Sequence, residues 1–284
     1  VADQAPLQVL TNVEVEDLTR DGRGQFDGVR LRERSTGTRR VYRARRYVLA
    51  AGAIHSPTLL LRSGGDGPWV GRNYMYHLSP VVAGLFARPT GADATFVKQV
   101  GFADYYFGTR DYAHKMGIIQ SLPVPGPLMI AKALQRRFPV RLLHLLRRSM
   151  LPLAGTVEDL PDPANQVALG RDGRPELRHA FGPYDRERGR RLSRFMSQIL
   201  KAAGALWCLT TPFPPEEHVG HQCGTLRFGR SAAHAVLDPE CRLFGQENVF
   251  VVDGSFLPTS LGVGPALTIM ANALRVAEVV TREI

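Results

Sequence analysis

The stretch 248-NVFVVDGSFLPTSLGVGPALTIMANALRVAEVV-280 decides the fold. Residues 248–252 are nearly all apolar, the pattern of a strand buried on both faces, as in parallel sheets covered by helices. Pro265 suits a first helical position with Gly264 as its cap, and predicts a helix over 265–280 with apolar residues at Leu267, Met270, Leu274 and Ala277. Asp253-Gly254 lies between the two, beyond the carboxyl end of the strand, where ligands of open α/β sheets bind. A carboxylate there can accept hydrogen bonds from sugar-like hydroxyls, and Gly254 lets the backbone come close. The helix N-terminus offers free N–H groups and a positive dipole end, which favours an anion. The same residues also fit an ordinary strand-loop-helix connection in which Asp253 is a turn acceptor.

Towards the N-terminus, 7-LQVLTNVEVEDLTRD-21, 26-FDGVRLRER-34 and 39-RRVYRARRYVLAAG-52 read as three strands of a small meander, separated by Asp21-Gly22-Arg23-Gly24 and Ser35-Thr36-Gly37. In 56-SPTLLLRSG-64, Ser56 is a candidate N-cap, Pro57 fits the first helical position and Gly64 closes the helix. From about residue 76 the alternation weakens, and Pro, Gly and aromatics cluster. A second unit with its own strands and a helix at 184–204 is expected there. The result is an α/β chain in three pieces: 1–77, an α+β insertion at 78–217, and 218–284.

With 284 residues and 44% hydrophobic composition, the chain is long enough to bury a sizeable core. Lys and Arg number 36 against 26 Asp and Glu. The basic residues are scattered or sit on helix-like stretches such as 134-LQRRFPVRLLHLLRRSM-150, with no aromatic-interleaved platform, zinc finger or basic heptad beside them. Nucleic acid is therefore not expected as a partner. The 134–150 stretch is amphipathic enough to pack on the insertion or to touch an anionic membrane surface or partner, and packing is the expectation. No apolar run reaches the roughly 18 residues needed to cross a bilayer. No secretory signal is readable, and a cytoplasmic location is the expectation. The three cysteines, Cys208, Cys223 and Cys241, form no CxxC, so neither a disulfide framework nor a Cys-based metal site is expected.

Several ordered motifs then carry a resemblance. The pattern H-x-x-G-T-x-R-x-G in 221-HQCGTLRFG-229, together with 236-VLDPECRLFGQENVFVVDGSFLPTSLGVGPALTIMANALR-275, resembles the C-terminal region of the glucose-methanol-choline (GMC) family of FAD-dependent oxidoreductases. The segments 8-QVLTNVEVEDL-18, 47-YVLAAGAIHSPTLLLRSG-64 and 70-VGRNYMYH-77 resemble its middle section, including a G-[AS]-x-x-S-P-x(5)-S-G signature. The likeness is good over 1–77 and 218–284 and loose between. It implies a Rossmann-like FAD-binding domain built from both ends of the chain, an inserted substrate-binding domain at 78–217, and FAD as cofactor. The implied reaction is oxidation of an alcohol or sugar by hydride transfer to flavin N5, with oxygen, a quinone or a redox protein as electron acceptor. The family's GxGxxG phosphate loop is absent, so the chain is expected to be a fragment that lacks the first βαβ unit and is inactive alone. Gly65-Asp66 replaces the usual apolar-Gly, a minor loop change.

By motif alignment the resemblance makes His221 the catalytic base, since an unperturbed histidine titrates close to working pH. His218 is the weaker candidate. Gly264 occupies the position of the family's second active-site His or Asn, and glycine has no side chain to hold a hydroxyl. For the cofactor, the resemblance puts the Val15 backbone at the adenine and Ala51 and Gly52 near the ADP portion. It puts Asp253 and Gly254 at the ribityl and pyrophosphate, and the backbone of Gly264, Pro265 and Ala266 at the flavin N1-C2=O edge. His55, His77, His114, His144, His179 and His234 read as structural or surface. The alternative reading, from Gly264 and the missing phosphate loop, is a non-catalytic flavin-binding protein or a partner- or membrane-surface interaction module.

Overall fold

The computed structural model describes residues 7–65, 67–133, 139–210 and 220–282. The chain begins as an antiparallel meander of β1 (Val13–Arg20), β2 (Phe26–Glu33) and β3 (Arg39–Tyr42). Asp21 closes the first turn, its Oδ1 accepting the Arg23 and Gln25 amides at 2.8 and 2.9 Å, as short polar side chains do in tight turns.

The third predicted strand is in fact two. β3 stops at Tyr42, and β4 (Tyr47–Leu49) leaves the meander. The Ala44 amide is taken by the Tyr47 hydroxyl at 2.9 Å instead of a ladder partner. Burial explains the break: β3 is exposed throughout, whereas Tyr47 and Leu49 reach the core.

Helix α1 (Gly52–Arg62) follows. It starts a turn earlier than Ser56, so Ser56 is not its cap and Pro57 lies inside it. Pro57 has no N–H to give the Ala53 carbonyl, and that carbonyl instead accepts the Thr225 hydroxyl at 2.7 Å. Gly64 does end the helix, at φ +73°, and the Gly65 amide returns to the Leu60 carbonyl at 2.8 Å.

The next segment supplies β5 (Val81–Leu85), β6 (Gly101–Phe102), β7 (Gly117–Ser121), α2 (Pro127–Ala133), α3 (Val140–Leu146) and β8 (Met150–Val157). A hairpin of β9 (Gln166–Leu169) and β10 (Pro175–Arg178) leads to the long helix α4 (Pro183–Ala202), then β11 (Trp207–Thr210). Strands β11-β5-β8-β7-β6 form one antiparallel sheet in that order. α4 packs on one face: Leu192, Met196 and Leu200, four residues apart, bury against Val82, Ile119 and Leu153. Each fully buried apolar side chain of this kind is worth roughly 1.5–3 kcal/mol. Gly84 and Gly155 let the helix sit close, since a Cβ on either would meet Leu200 or Leu192 at 3.0–3.1 Å.

α2 and α3 cover one end of the opposite face through Ile130, Ala131 and Leu143. Within 134–150, Leu143 packs as expected, while Leu142, Leu145 and Leu146 stay exposed. Arg147 bonds the carbonyls of Pro125 and Val124. Residues 134–138, with Arg136 and Arg137, lie outside the described residues. No helix among the described residues is long and apolar enough to cross a membrane.

The chain closes with β12 (Val249–Val251) and α5 (Ala266–Arg282). β12 is buried at all three positions and pairs in parallel with β4, Val249 opposite Tyr47 and Val251 opposite Leu49. A core of Leu18, Phe26, Leu60, Phe250, Phe256 and Val276 ties these elements to the meander and α1. α5 docks through Ile269, Val276, Val279 and Val280. The stripe singled out from the sequence, Leu267, Met270, Leu274 and Ala277, is the exposed one. The helix carries a second apolar stripe, and that one meets the core.

Candidate functional site

The ends of β4 and β12 meet at Asp253, 8% exposed. Its Oδ2 accepts the Gly52 amide at 3.0 Å and the Ser56 hydroxyl at 2.5 Å. Its Oδ1 accepts the Ser255 amide at 2.9 Å and the Ser255 hydroxyl at 2.5 Å. Four bonds fill the acceptor capacity of a carboxylate, so Asp253 holds two chain segments together and has no lone pair left for a sugar-like hydroxyl. Gly254 likewise faces inward: a Cβ there would stand 2.9 Å from the Gln222 carbonyl, and its own carbonyl accepts the Gly224 amide at 3.3 Å. Gly52 differs. It takes φ +83° and has open space where a Cβ would project, beside exposed Ala51. Val15 is exposed on β1 next to a register shift between Val15 and Asp17.

The H-x-x-G-T motif is explained by what it touches. Cys223 pairs with Met75 through both backbone bonds, N to O at 2.9 and 3.0 Å. Gly224, at φ +90°, has the Asn73 carbonyl 2.4 Å from where its Cβ would be, so no larger residue fits without movement. Thr225 caps the carbonyl that Pro57 leaves unpaired. The motif therefore locks 221–225 between the segment 73–75 and α1 and projects His221 outward.

His221 is exposed and holds φ +60°, a backbone region that costs a non-glycine residue and persists where surrounding structure enforces it. Its ring meets the ring of His77 edge to face, centroids 5.0 Å apart. On its other side a Cβ on Gly264 would lie 3.4 Å from His221 Cε1 and 3.5 Å from Nε2. Gly264 and Ala266 are exposed, Pro265 is buried, and the amide end of α5 stands beside the His221 ring edge. Partial loss of hydration, with the Lys98 ammonium adding to it, lowers the His221 pKa. The ring is thus neutral, with a free nitrogen lone pair, at neutral pH.

Sequence reasoning read His77 as structural or surface, and the fold buries it against the His221 ring. It is 2% exposed, its Nδ1 lies 3.3 Å from the Ser260 hydroxyl, and its Nε2 is buried without a hydrogen bond. Burial, then the neighbouring His221, drop its pKa to about 4, against a weaker opposing pull from the backbone at Val157 and Val263. Only its place within the buried run 73–78 hinted at this, because its partners are 144 and 183 residues away. The His179 side chain is also nearly buried, bonded to Asp159 at 2.8 Å among Tyr74, Tyr76 and Phe181. His218 lies outside the described residues. No cluster of three or more metal-ligating side chains occurs among the described residues.

The sheet carries this region too. The Ile118 amide bonds the Gly262 carbonyl at 3.2 Å, and Lys98 reaches Gln120 on β7 at 2.7 Å.

Comparison with known proteins decides the lineage. Two family profiles, both described as GMC oxidoreductase, match residues 2–79 and 161–273. The chain belongs to the GMC oxidoreductase family. Members of this family are FAD-binding flavoproteins that oxidise CH–OH groups. Among similar proteins, 6'''-hydroxyparomomycin C oxidase of Streptomyces lividus is 30% identical over 95% of this chain and 51% of its own length. The fructose dehydrogenase large subunit of Gluconobacter japonicus is 24% identical over 100% of this chain and 55% of its own. The chain spans about half the length of such curated relatives. In structure it is similar to formate oxidase of Aspergillus oryzae, with TM-score 0.71 and 17% identity over 95% of this chain and 60% of that one. Pyridoxine 4-oxidase from Mesorbium loti gives TM-score 0.67 and 22% identity over 95% and 57%. These likenesses establish the GMC fold, with its Rossmann-like FAD domain, as the architecture of this α/β chain.

Proposed function

We propose that this chain forms the flavin-facing and substrate-facing part of a GMC enzyme that oxidises the CH–OH group of an alcohol or sugar, with His221 as the base. The observation that carries the reading is the placement of His221: exposed, and set against Gly264 at the amide end of α5, with its pKa lowered by partial loss of hydration. FAD fits this surface. Gly52 leaves open space beside its backbone at the end of β4, and the first amides of α5 have no carbonyl one turn earlier to bond.

In this reading Val15, Ala51 and Gly52 hold the ADP portion through backbone. Asp253 and Gly254 act on the ribityl and pyrophosphate by fixing the backbone they bind. Gly264, Pro265 and Ala266 face the ring, where the helix dipole favours negative charge. When bound, FAD supplies the two-electron hydride acceptor. His221 takes the hydroxyl proton as the C–H hydride leaves, and a carbonyl product results. Residues 78–217 form the substrate-binding unit, and its sheet face with Lys98 and Gln120 meets the substrate.

These 284 residues contain no GxGxxG loop, so their own donors to the pyrophosphate are few, and alone they should bind FAD weakly and turn over no alcohol. The exposed stripe of Leu267, Met270 and Leu274 agrees with that. A yellow, monomeric preparation of this chain with stoichiometric FAD would overturn this part. Anaerobic bleaching of the flavin by an alcohol and sugar panel, in a FAD-loaded protein containing this chain, tests the activity. A flavin that no alcohol or sugar reduces would support the non-catalytic alternative instead.

A further inference from the structure

The buried imidazole beside His221 has no place in the chemistry just described. We propose that His77 is a positioning residue for His221: anchored through Nδ1 to Ser260, it braces the His221 ring edge to face and fixes the plane in which that ring meets a substrate.

The anchor is rigid. Ser260 is fully buried and bonds Asp159 in both directions, its hydroxyl accepting the Asp159 amide at 2.6 Å and its own amide reaching the Asp159 carbonyl at 3.2 Å. The Asp159 carboxylate is itself held by His179 and by the Tyr76 amide. The chain of contacts from His179 through Asp159, Ser260 and His77 to His221 therefore joins the segment before β9, the loop before α5 and the H-x-x-G-T motif.

A filler role would be met better by an apolar ring. Burying an imidazole with one nitrogen unbonded is unfavourable, and such groups persist where position matters. His221 needs the support: its backbone is strained, its side chain is exposed, and Gly264 beside it has no side chain to offer.

Among the described residues, the charged and titratable groups that act on His221 come from three places. Lys98, from the loop before β6, acts on it through space, and His77 faces it from the run 73–78. Cys223 follows two residues on, buried with its thiol pushed up by desolvation. The Asp159–His179 pair lies behind Ser260. Among these described residues, His77 is the one in ring contact with His221.

The inference extends the reading of His221 as the base, but its test reads the ring without flavin. Histidine Cε1–H resonances of the 284-residue chain are followed through pH by NMR, with His221 assigned from a His221→Gln variant. The wild type should show a ring-to-ring NOE between His77 and His221. His77→Ala admits water to the His221 ring and should raise its titration midpoint by about half a pH unit or more. Ser260→Ala should weaken the NOE and move the midpoint the same way. His77→Phe, which keeps a ring but has no nitrogen to bond Ser260, should move the midpoint the same way as Ser260→Ala.

Absence of the NOE in the wild type would overturn the proposal without any variant. So would an unchanged His221 midpoint in folded His77→Ala or Ser260→Ala. If the coupling is present but His221→Ala does not slow flavin reduction, the bracing stands and the assignment of His221 as base fails.

Discussion

Asp253 and Ser56, 197 residues apart in the chain, share a buried hydrogen bond of 2.5 Å. That bond, with the one from Gly52, sews the end of β4 and the start of α1 to the end of β12. Parallel pairing of two strands from opposite ends of the chain needs such a clamp, because β4 and β12 contribute only three residues each. Asp253→Ala leaves the Gly52 amide and the Ser56 and Ser255 donors without their acceptor. We expect a loss of about 2–4 kcal/mol in urea unfolding, with Asp253→Asn costing less.

The pairing of Pro57 with Thr225 predicts a second, asymmetric effect. Thr225→Val removes the donor to the Ala53 carbonyl, which Pro57 cannot replace, and should destabilise the chain by about 1–3 kcal/mol. Adding Pro57→Ala restores an N–H within α1 and should recover part of that loss. Equal losses in the single and double variants would mean that the carbonyl does not depend on Thr225.

Much of this was legible in the sequence, for definite reasons. The apolar run 249–251, Pro265 and Gly64 each have a local physical meaning, and each element forms where that meaning puts it. Local rules failed where a distant partner decides. Ser56 reads as a cap but serves Asp253, and the strand from 39 breaks because Tyr47 and Leu49 gain more burial beside β12. Apolar spacing on α5 does not by itself pick out the core face, because the helix carries two apolar stripes and only the one with Ile269, Val276 and Val280 is packed. At the candidate site, His221 and Gly264 were singled out through motif resemblance, and the fold sets them side by side. His77 was not, since nothing near it in the chain announces Ser260 or His221.

Gly264 invites the reverse of the usual loss-of-function test. Its φ is not in the left-handed region, and a Cβ would make only ordinary contact with His221. Gly264→Asn should therefore fold and, by giving the substrate hydroxyl a second partner, speed flavin reduction roughly 3- to 10-fold in the FAD-loaded protein. Stopped-flow absorbance of the flavin measures this. A slower rate would show that the pocket has no room for the amide.

His77 also fixes a pH dependence. Its pKa falls from 6.5 to about 4 on folding. Between those values the unfolded chain binds a proton that the folded chain refuses, so stability declines as pH falls through that window and levels off below it. The full contribution is about 3 kcal/mol. Urea unfolding of wild type and His77→Phe across the window should show a steeper acid loss in the wild type; parallel curves would contradict it.

The central claim is that His221 takes the hydroxyl proton, and single-turnover flavin reduction in a FAD-loaded protein containing this chain tests it most directly. With the best substrate from the alcohol and sugar panel, His221→Ala should leave FAD bound and slow reduction by about 10² to 10⁴-fold, the usual worth of a positioned base. A reductive rate constant within about threefold of wild type falls far below that worth and would contradict the account.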